Sequence, residues 1–350
     1  MINKMIFLDC EGPITLNDNA LELCGHFMAR GEHFFSLLSR YDDYLAEVIK
    51  RPGYRAGNTL KFIVPFLKAF GVTNEKVRQF CETHIRFVPE APRVVRRLSY
   101  LTTVSILSTS YCFYVEAVSK KIGSSLRIYG TDLDLDRYSL SEEETRILRG
   151  LKEEISEFSL FSLEGVMNIA QLTPSAREVI DRLEDVFQRK IAKMNCGHIM
   201  EKIQPVGGSE KVKPLLDLCG TSSPMSEIMY VGDSITDMEV LRLVRQRGGV
   251  AVSFNGNHYA VREAEFACTS FTALPILFLG EIFHQRGKEG VLKISQDWPR
   301  NLPDDWKKKL LSPVTNAYLA ILTEKNRCSL IERSEIVRRQ VRGEEIGMLG

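Results

Sequence analysis

Residues Met5–Thr15 read MIFLDCEGPIT. Four apolar residues run directly into Asp9, and a Gly-Pro pair then marks a turn. This pattern predicts a buried strand that ends in a carboxylate. Ligands of open α/β sheets bind outside the carboxyl ends of the strands, so Asp9 and Glu11 stand where we expect chemistry.

Three further stretches place polar residues beside apolar runs. Val104–Ser110 (VSILSTS) predicts a second strand, which ends in hydroxyl groups. Gly208–Leu215 (GSEKVKPL) carries lysines at the start of a helical pattern. Ile228–Asp237 (IMYVGDSITD) predicts a third strand, which ends in a Gly-Asp-Ser sequence. The carboxyl ends of parallel strands share one edge of a sheet, so we expect these groups to meet.

The four stretches, in this order, resemble the motifs of the haloacid dehalogenase superfamily of phosphohydrolases. The resemblance is strongest to its phosphoserine phosphatase branch, because Leu107–Gly123 also matches a strand-end serine, an aromatic residue and a helix that ends Lys-Lys-x-Gly. It covers roughly residues 1–135 and 203–280. It implies an α/β fold with a Rossmann-like, doubly wound parallel sheet and a helical cap over the active site.

The resemblance also implies a role for each motif residue. Asp9 is the expected nucleophile, which would form an aspartyl-phosphate, and Glu11 is the expected acid and base. Mg²⁺ is the expected cofactor, held by Asp9, Asp233 and the backbone carbonyl of Glu11, with Asp237 orienting these ligands. The residues expected to hold the phosphate are Ser108, Thr109 and Lys211, and Lys213 is the alternative lysine.

Glu11 departs from the usual pattern of the superfamily, in which most phosphatases carry Asp two residues after the nucleophile. Glutamate keeps the carboxyl group, so acid and base function is compatible with it. The sequence Asp-x-Glu-Gly also occurs in the phosphoserine:homoserine phosphotransferase of the same branch. The resemblance therefore implies a phosphatase acting on a small phosphorylated metabolite, and leaves phosphotransfer to an alcohol acceptor as the alternative.

Three residues are candidates for substrate binding. Asp18 lies nine residues after Asp9, where the resembled phosphoserine phosphatases place a carboxylate that meets the substrate's amino group. The composition Asn-Asp-Asn around it equally predicts a helix N-cap. Arg55 is a candidate cap cation for a substrate carboxylate, and Asn255 lies in the loop expected to border the active site.

The resemblance and the helical patterns together divide the chain into four parts. The α/β core is predicted to comprise residues 1–15, 89–138 and 204–280, and residues 16–88 form the predicted cap. Residues 139–203 are a predicted helical insertion, and Ser141 followed by three glutamates predicts the start of its first helix. Residues 281–350 are a predicted helical C-terminal extension.

Composition limits the classes of partner. The 46 Lys and Arg residues nearly balance the 45 Asp and Glu residues, so the net charge gives no case for a nucleic acid partner. No apolar run approaches the ~18 residues of a membrane span, and the N-terminus lacks a signal-peptide core, so we expect a cytoplasmic protein.

A second class of function is also open, because some archaeal relatives in the resembled superfamily are described as hydrogenase-associated subunits. In that case the chain would be a non-catalytic binding subunit of a larger complex. A homodimer or protein partner would then use residues 139–203 or the C-terminal tail.

Overall fold

The computed structural model describes residues 4–163, 165–221, 223–347 and Leu349. A seven-stranded sheet runs through these residues, in the order β3-β2-β1-β4-β5-β6-β7. The strands are β1 (Met5–Leu8), β2 (Thr103–Tyr111), β3 (Arg127–Thr131), β4 (Ile228–Gly232), β5 (Val250–Phe254), β6 (Phe266–Thr269) and β7 (Tyr318–Ile321). All neighbouring pairs are parallel except β6 with β7. The first six strands have the order of a Rossmann-like doubly wound sheet, which confirms the predicted fold class.

The central strands are apolar because both faces of the sheet are covered. Every residue of β1, β4 and β5 is buried. Along β1, Ile6 and Leu8 belong to the larger hydrophobic core on one face, and Met5 and Phe7 belong to a second core on the other face. Such continuous apolar runs are typical of parallel strands with helices on both sides.

Sixteen α-helices lie among the described residues. Those from the first half of the chain are α1 (Asn19–Phe27), α2 (Gly31–Asp43), α3 (Thr59–Ala69), α4 (Asn74–Thr83), α5 (Ala91–Leu101), α6 (Cys112–Ile122), α7 (Glu142–Ser156) and α8 (Pro174–Glu184). The others are α9 (Gly197–Lys202), α10 (Ser209–Cys219), α11 (Met238–Gln246), α12 (His258–Glu263), α13 (Leu274–Gln296), α14 (Asp304–Leu310), α15 (Arg327–Arg342) and α16 (Glu344–Gly347). None of them is both long and apolar enough to cross a membrane.

Residues 139–203 pack on the helices that connect β1 to β2. Phe187 lies with its ring centroid 4.6 Å from that of Phe62 on α3. Glu184 at the end of α8 accepts hydrogen bonds from Arg51 at 2.8 and 2.9 Å. These contacts join the two helical segments through a shared apolar core.

The C-terminal segment is not helical throughout, which corrects the prediction for residues 281–350. Tyr318–Ile321 forms β7, which pairs antiparallel with β6 and extends the sheet by one strand. An antiparallel edge strand needs no helical crossover before it, so no preceding element indicates it. The four residues of β7 are also too few to show a clear alternation of apolar and polar residues. The chain then turns into α15, which packs against β6 and α12.

Candidate active site

A buried lysine links two carboxylates at the carboxyl edge of the sheet. Asp9 directly follows β1, and its backbone N–H donates to Val231 O on β4 at 2.9 Å. Lys211, in the first turn of α10, donates from Nζ to Asp9 Oδ2 at 2.8 Å and to Asp237 Oδ1 at 2.7 Å. The Lys211 side chain has no exposed surface, so its charge acts on these two carboxylates rather than on solvent.

The loop after β4 is folded around the Asp237 side chain. Asp237 Oδ2 accepts from the backbone N–H groups of Asp233 and Ser234 at 2.8 and 3.0 Å. The carboxylate oxygens of Asp9, Asp233 and Asp237 come within 4.8 Å of one another. Gly12 lies against this group with a φ of +96°, and a Cβ there would be 2.3 Å from the Asp233 carboxyl group. The Gly in the first motif therefore allows the two strand-end loops to meet.

The end of β2 supplies hydroxyl groups to the same place. Ser108 and Thr109 both line the cavity beside Asp9, and Ser108 Oγ accepts from Ser110 N at 3.2 Å. The hydroxyl oxygens of Thr109 and Ser110 are buried and have no hydrogen-bond partner among the described residues. A buried hydroxyl without a partner is costly, so these two groups are suited to a polar ligand in the cavity.

Glu11 and Asp18 line the cavity from the segment that connects β1 to α1. Glu11 Oε1 accepts from the backbone N–H of Asn19 at 2.7 Å. Asp18 is the N-cap of α1, and its Oδ1 accepts from Leu21 N at 3.0 Å. The structure thus shows Asp18 as a helix cap that also faces the cavity, and the two uses do not exclude each other.

Two arginines from α15 also line the cavity, and sequence reasoning missed both. Arg338 and Arg342 each place Nη1 against Asp233 Oδ2, Arg342 at 2.9 Å. Both are buried. Their spacing of four residues puts them on one face of a helix, and that was the available signal. The spacing could not show that this face meets Asp233, because the sequence does not predict where α15 packs relative to β4.

Other candidates lie elsewhere. Arg55 does not line the cavity, because its guanidinium pairs with Glu210 on α10. Asn255 is buried and does not line the cavity either. Its side-chain amide donates to Ser270 O at 2.7 Å and accepts from Ser270 N at 2.9 Å, which fixes the loop after β5. Lys213 is exposed and pairs with Glu210, so of the two candidate lysines only Lys211 reaches Asp9.

The cavity between these groups has a volume of about 100 Å³. Its walls come from the strand ends, from α2 and α3, and from α15 with Leu349. No residue of 139–203 is among the described residues that line it. A space of this size accommodates a small polar group such as a phosphate, and excludes a polymer unless the walls move.

Burial and charge shift the protonation of the cluster. Burial and the Asp237 carboxylate raise the pKa of the Asp9 carboxyl well above its usual value, because the opposing effect of Lys211 is smaller. Burial also acts to raise the pKa of Asp237, but the charge and hydrogen bond of Lys211 and the hydroxyl of Tyr230 outweigh it, so that pKa is lowered. Burial alone would lower the pKa of Lys211, yet the two carboxylates raise it. Lys211 therefore stays protonated and Asp237 stays ionised at neutral pH.

Glu11 differs from Asp237 in having no cation bonded to its carboxylate among the described residues. Burial raises its pKa well above the usual value, and the neighbouring Asp18 carboxylate raises it further. The Arg342 guanidinium acts in the opposite direction but is outweighed. A carboxyl group of this kind keeps its proton to higher pH than an exposed glutamate does.

The fold and site define a doubly wound α/β protein with a buried carboxylate and lysine centre. No protein-family model and no curated protein matches the chain. Among solved structures, gene product AF1437 from Archaeoglobus fulgidus is 32% identical, with 99% of each chain covered and a TM-score of 0.82. The chain therefore belongs to the same family as this archaeal protein.

A substrate-bound phosphoserine phosphatase complex is also similar, at 14% identity and a TM-score of 0.43, over 76% of this chain and 93% of the other. A TM-score below 0.5 does not establish a shared fold, so that enzyme's substrate is not transferred to this chain.

Proposed function

We propose that the protein transfers phosphoryl groups from a small phosphomonoester, with Asp9 as the nucleophile. One observation carries the proposal. The Asp9 carboxylate and the unpaired Thr109 hydroxyl line one small cavity, and the Lys211 ammonium donates a hydrogen bond to Asp9. Attack of Asp9 on phosphorus would form an aspartyl-phosphate and release the alcohol, and attack by water would then release phosphate.

Lys211 has two tasks in this proposal. Its charge reduces the repulsion between the Asp9 carboxylate and the negative phosphate oxygens, which otherwise opposes attack. Its second bond, to Asp237, fixes the ammonium group in place before substrate binds. The hydroxyl groups of Ser108 and Thr109 would donate to the transferring phosphoryl oxygens, which is where the unpaired Thr109 hydroxyl would find its partner.

Glu11 is suited to the proton transfers. Its raised pKa keeps it protonated as an acid for the leaving alcohol oxygen, and once ionised it can accept a proton from the attacking water. The longer glutamate side chain reaches the backbone N–H of Asn19 at the start of α1. Proton donation is therefore coupled to the position of the first cap helix.

The donor set fits Mg²⁺, a hard cation that prefers oxygen ligands. Asp9, Asp233 and the backbone carbonyl of Glu11 would hold the ion, and Asp237 would orient the Asp233 loop through its two backbone hydrogen bonds. A bound divalent cation would neutralise charge on the phosphoryl oxygens. Two of these carboxylates form ion pairs within the protein. Asp9 pairs with Lys211, and Asp233 pairs with the two arginines of α15.

The substrate class follows from the cavity. It is small, and its lining residues include Asp18 together with two buried acids of α2, Asp42 and Asp43. The Asp18 carboxyl group is placed to meet a positively charged group of the substrate, so an amino-acid phosphate such as phosphoserine is the specific proposal. Residues 16–88 act in this proposal as the cap that selects the substrate.

A non-catalytic binding subunit is the second candidate function. The observation that favours it is the pairing of Asp233 with two buried guanidinium groups, because a catalytic metal ligand is seldom neutralised by protein cations. The motif residues are nonetheless all present. Asp9, Glu11, Ser108 and Asp233 line one cavity, Lys211 bonds to Asp9, and Asp237 accepts from the backbone N–H of Asp233. Phosphotransfer to an alcohol uses the same aspartyl-phosphate and differs only in the second acceptor.

The test is a phosphatase assay of the pure protein with Mg²⁺ on p-nitrophenyl phosphate and a panel of small phosphomonoesters. We expect Mg²⁺-dependent release of phosphate, and increased yield of a phosphorylated product if an added alcohol such as homoserine is the better acceptor. An inert, folded, metal-supplied protein on the whole panel would reject the enzyme and favour the binding subunit.

A further inference from the structure

Helix α15 places two cations on the carboxylate that the proposed function assigns to the metal. Arg338 Nη1 donates to Asp233 Oδ2 and, at 3.1 Å, to Asp233 O. Arg342 Nη1 donates to the same Oδ2 at 2.9 Å. Asp9 and Asp237 share one lysine, whereas Asp233 has two guanidinium groups to itself.

The two arginines are held by more than this ion pair. Arg342 also donates from Nε to Leu16 O at 3.2 Å and from Nη2 to Asn17 O, in the segment that leads from β1 into α1. Arg338 Nε donates to Gly347 O at 3.2 Å. One turn before Arg338, Ser334 Oγ donates to Gly256 O at 2.6 Å. Helix α15 is thus docked on the loops after β1, β4 and β5 at once.

Buried like charges repel strongly, because little solvent lies between them to screen the field. A divalent cation bound at Asp233 would lie within a few ångströms of both guanidinium groups. It would also draw on a carboxylate whose Oδ2 already accepts from both of them. The energy that α15 gains from Asp233 is therefore partly lost when a cation binds, and the cation's affinity is reduced by the same amount.

We propose that Arg338 and Arg342 compete with the divalent cation for Asp233, so that docking of α15 weakens metal binding and metal binding loosens α15. This inference rests on the metal site of the proposed function. It makes the C-terminal helix a determinant of metal affinity, and the concentration of free cation would then set how firmly the helix closes the cavity.

A purely positioning role for the arginines predicts the opposite sign. In that role the guanidinium groups would hold Asp233 in the geometry that the metal needs. Their removal would then leave a buried carboxylate misplaced, and the cation would bind more weakly. The direction of the change in affinity separates the two roles.

The experiment is a titration of the full-length protein with Mn²⁺ alone, followed by electron paramagnetic resonance of the free ion and by calorimetry. Mn²⁺ suits the same oxygen ligands. The variants are Arg342→Met, which removes one charge, Arg342→Lys, which keeps it, and Arg339→Met as the control. Arg339 lies on the same helix but is exposed and pairs with Glu344. Arg342→Met alone is sufficient for the test. Arg338→Met is a further variant that removes the second charge.

We expect Arg342→Met to bind Mn²⁺ about tenfold or more tightly than wild type, because one buried repulsive charge is gone. Arg342→Lys and Arg339→Met should bind as wild type does. Equal or weaker binding by a folded Arg342→Met would overturn the competition. If neither wild type nor Arg342→Met bound Mn²⁺, the metal site itself would be rejected, together with the inference that rests on it.

Hydrogen exchange supplies a readout that is independent of affinity. Saturating Mn²⁺ should increase amide exchange in residues 327–347 of the wild type relative to metal-free protein, because linkage is reciprocal. In Arg342→Met the increase should be smaller. Protection of these residues by Mn²⁺ would contradict the proposal even if the affinities followed the expected order.

Discussion

The Nζ atom of Lys211 lies 2.8 Å from Oδ2 of Asp9, a residue 202 positions earlier in the chain. The contact exists because Asp9 directly follows the central strand β1 and Lys211 lies in the first turn of α10, the helix that precedes β4 in the chain. Both groups are buried, so the interaction is between desolvated charges and each depends on the other.

Substitution Asp9→Asn should reduce hydrolysis of p-nitrophenyl phosphate by about 10³-fold or more, because the amide cannot act as the nucleophile. The measurement is the initial rate with Mg²⁺ present, with folding checked by circular dichroism. Asp217→Asn is the control, since Asp217 is an exposed acid on α10. Comparable rates for Asp9→Asn and wild type would exclude Asp9 as nucleophile.

The pair Lys211→Met and Lys213→Met compares two lysines of one helix. Loss of the buried ammonium leaves Asp9 and Asp237 without their cation, which should destabilise the fold by about 3 kcal/mol and reduce activity by about 10²-fold. Lys213 is 63% exposed, and its loss should change the free energy of unfolding by less than about 1 kcal/mol. Urea unfolding and the same assay check both, and a reversed order would shift the phosphate role to Lys213.

Glu11 should control the pH dependence of hydrolysis for phosphate esters with poor leaving groups. Its pKa is raised above the usual value by burial and by Asp18, so the protonated acid persists to higher pH and is lost as the pH rises through that pKa. Hydrolysis of an alkyl phosphate should therefore fall with rising pH. Glu11→Gln should slow hydrolysis of the alkyl phosphate by about 10²-fold. It should slow hydrolysis of p-nitrophenyl phosphate much less, because that leaving group needs no proton. Equal losses on both substrates would exclude Glu11 as the acid.

Substitution Asp18→Ala separates the cap from the substrate contact. Loss of the hydrogen bond to Leu21 N should cost about 1 kcal/mol of stability whatever the substrate is. If Asp18 also binds an amino group, KM for phosphoserine should rise while KM for p-nitrophenyl phosphate stays unchanged. A parallel fall on both substrates would leave Asp18 with its capping role alone. Asp18→Asn serves as the control, because asparagine caps helices equally well.

The neighbouring acids Asp42 and Asp43 should respond in opposite directions to substitution. Asp42 accepts four hydrogen bonds, from Tyr54, Gly57 and twice from Thr59, so Asp42→Asn should lower Tm. Asp43 is equally buried, but it forms no hydrogen bond or ion pair among the described residues. Burial and the Asp42 charge raise its pKa well above the usual value. Asp43→Asn should therefore raise Tm at pH 7.

The sign of the pH effect follows from the raised pKa of Asp43. The folded protein keeps this proton to higher pH than the unfolded chain, whose carboxyl has a pKa of about 3.9. The contribution to stability is thus complete below that pH and is lost as the pH rises through the folded-state pKa. The advantage of Asp43→Asn in thermal unfolding should vanish near pH 3, and an advantage that persists there would contradict the assignment.

The sequence predicted what depends on local pattern. Apolar runs that end in Asp9, Ser108 and Asp233 predicted parallel strands, and strands of one sheet bring their carboxyl ends to one edge. The fold class is confirmed for that reason. The helix start at Ser141 is observed as well, because an N-cap depends only on residues a few positions apart; Ser141 and Glu144 also form a capping box.

What the sequence did not predict depends on contacts between distant segments. The arginines of α15 lie in a basic helix whose composition is typical of a solvated surface, and only the docked structure shows that they face Asp233. Arg55 was expected to bind substrate in the cavity, but its guanidinium pairs with Glu210 and does not line the cavity. Strand β7 was missed because four residues carry too little periodic signal. The chemical roles of the site residues stay predictions.

The contact between Arg342 and Leu16 joins residues 326 positions apart, and Arg338 follows Asp233 by 105 positions. A ribosome therefore finishes the carboxylates of the site well before it reaches either arginine, at ~5 to 20 residues per second. During those seconds a nascent chain holds Asp233 without its guanidinium partners. The competition that we propose for that carboxylate could begin only after α15 has been made, and it predicts that a chain still on the ribosome binds divalent cations more tightly than the finished protein.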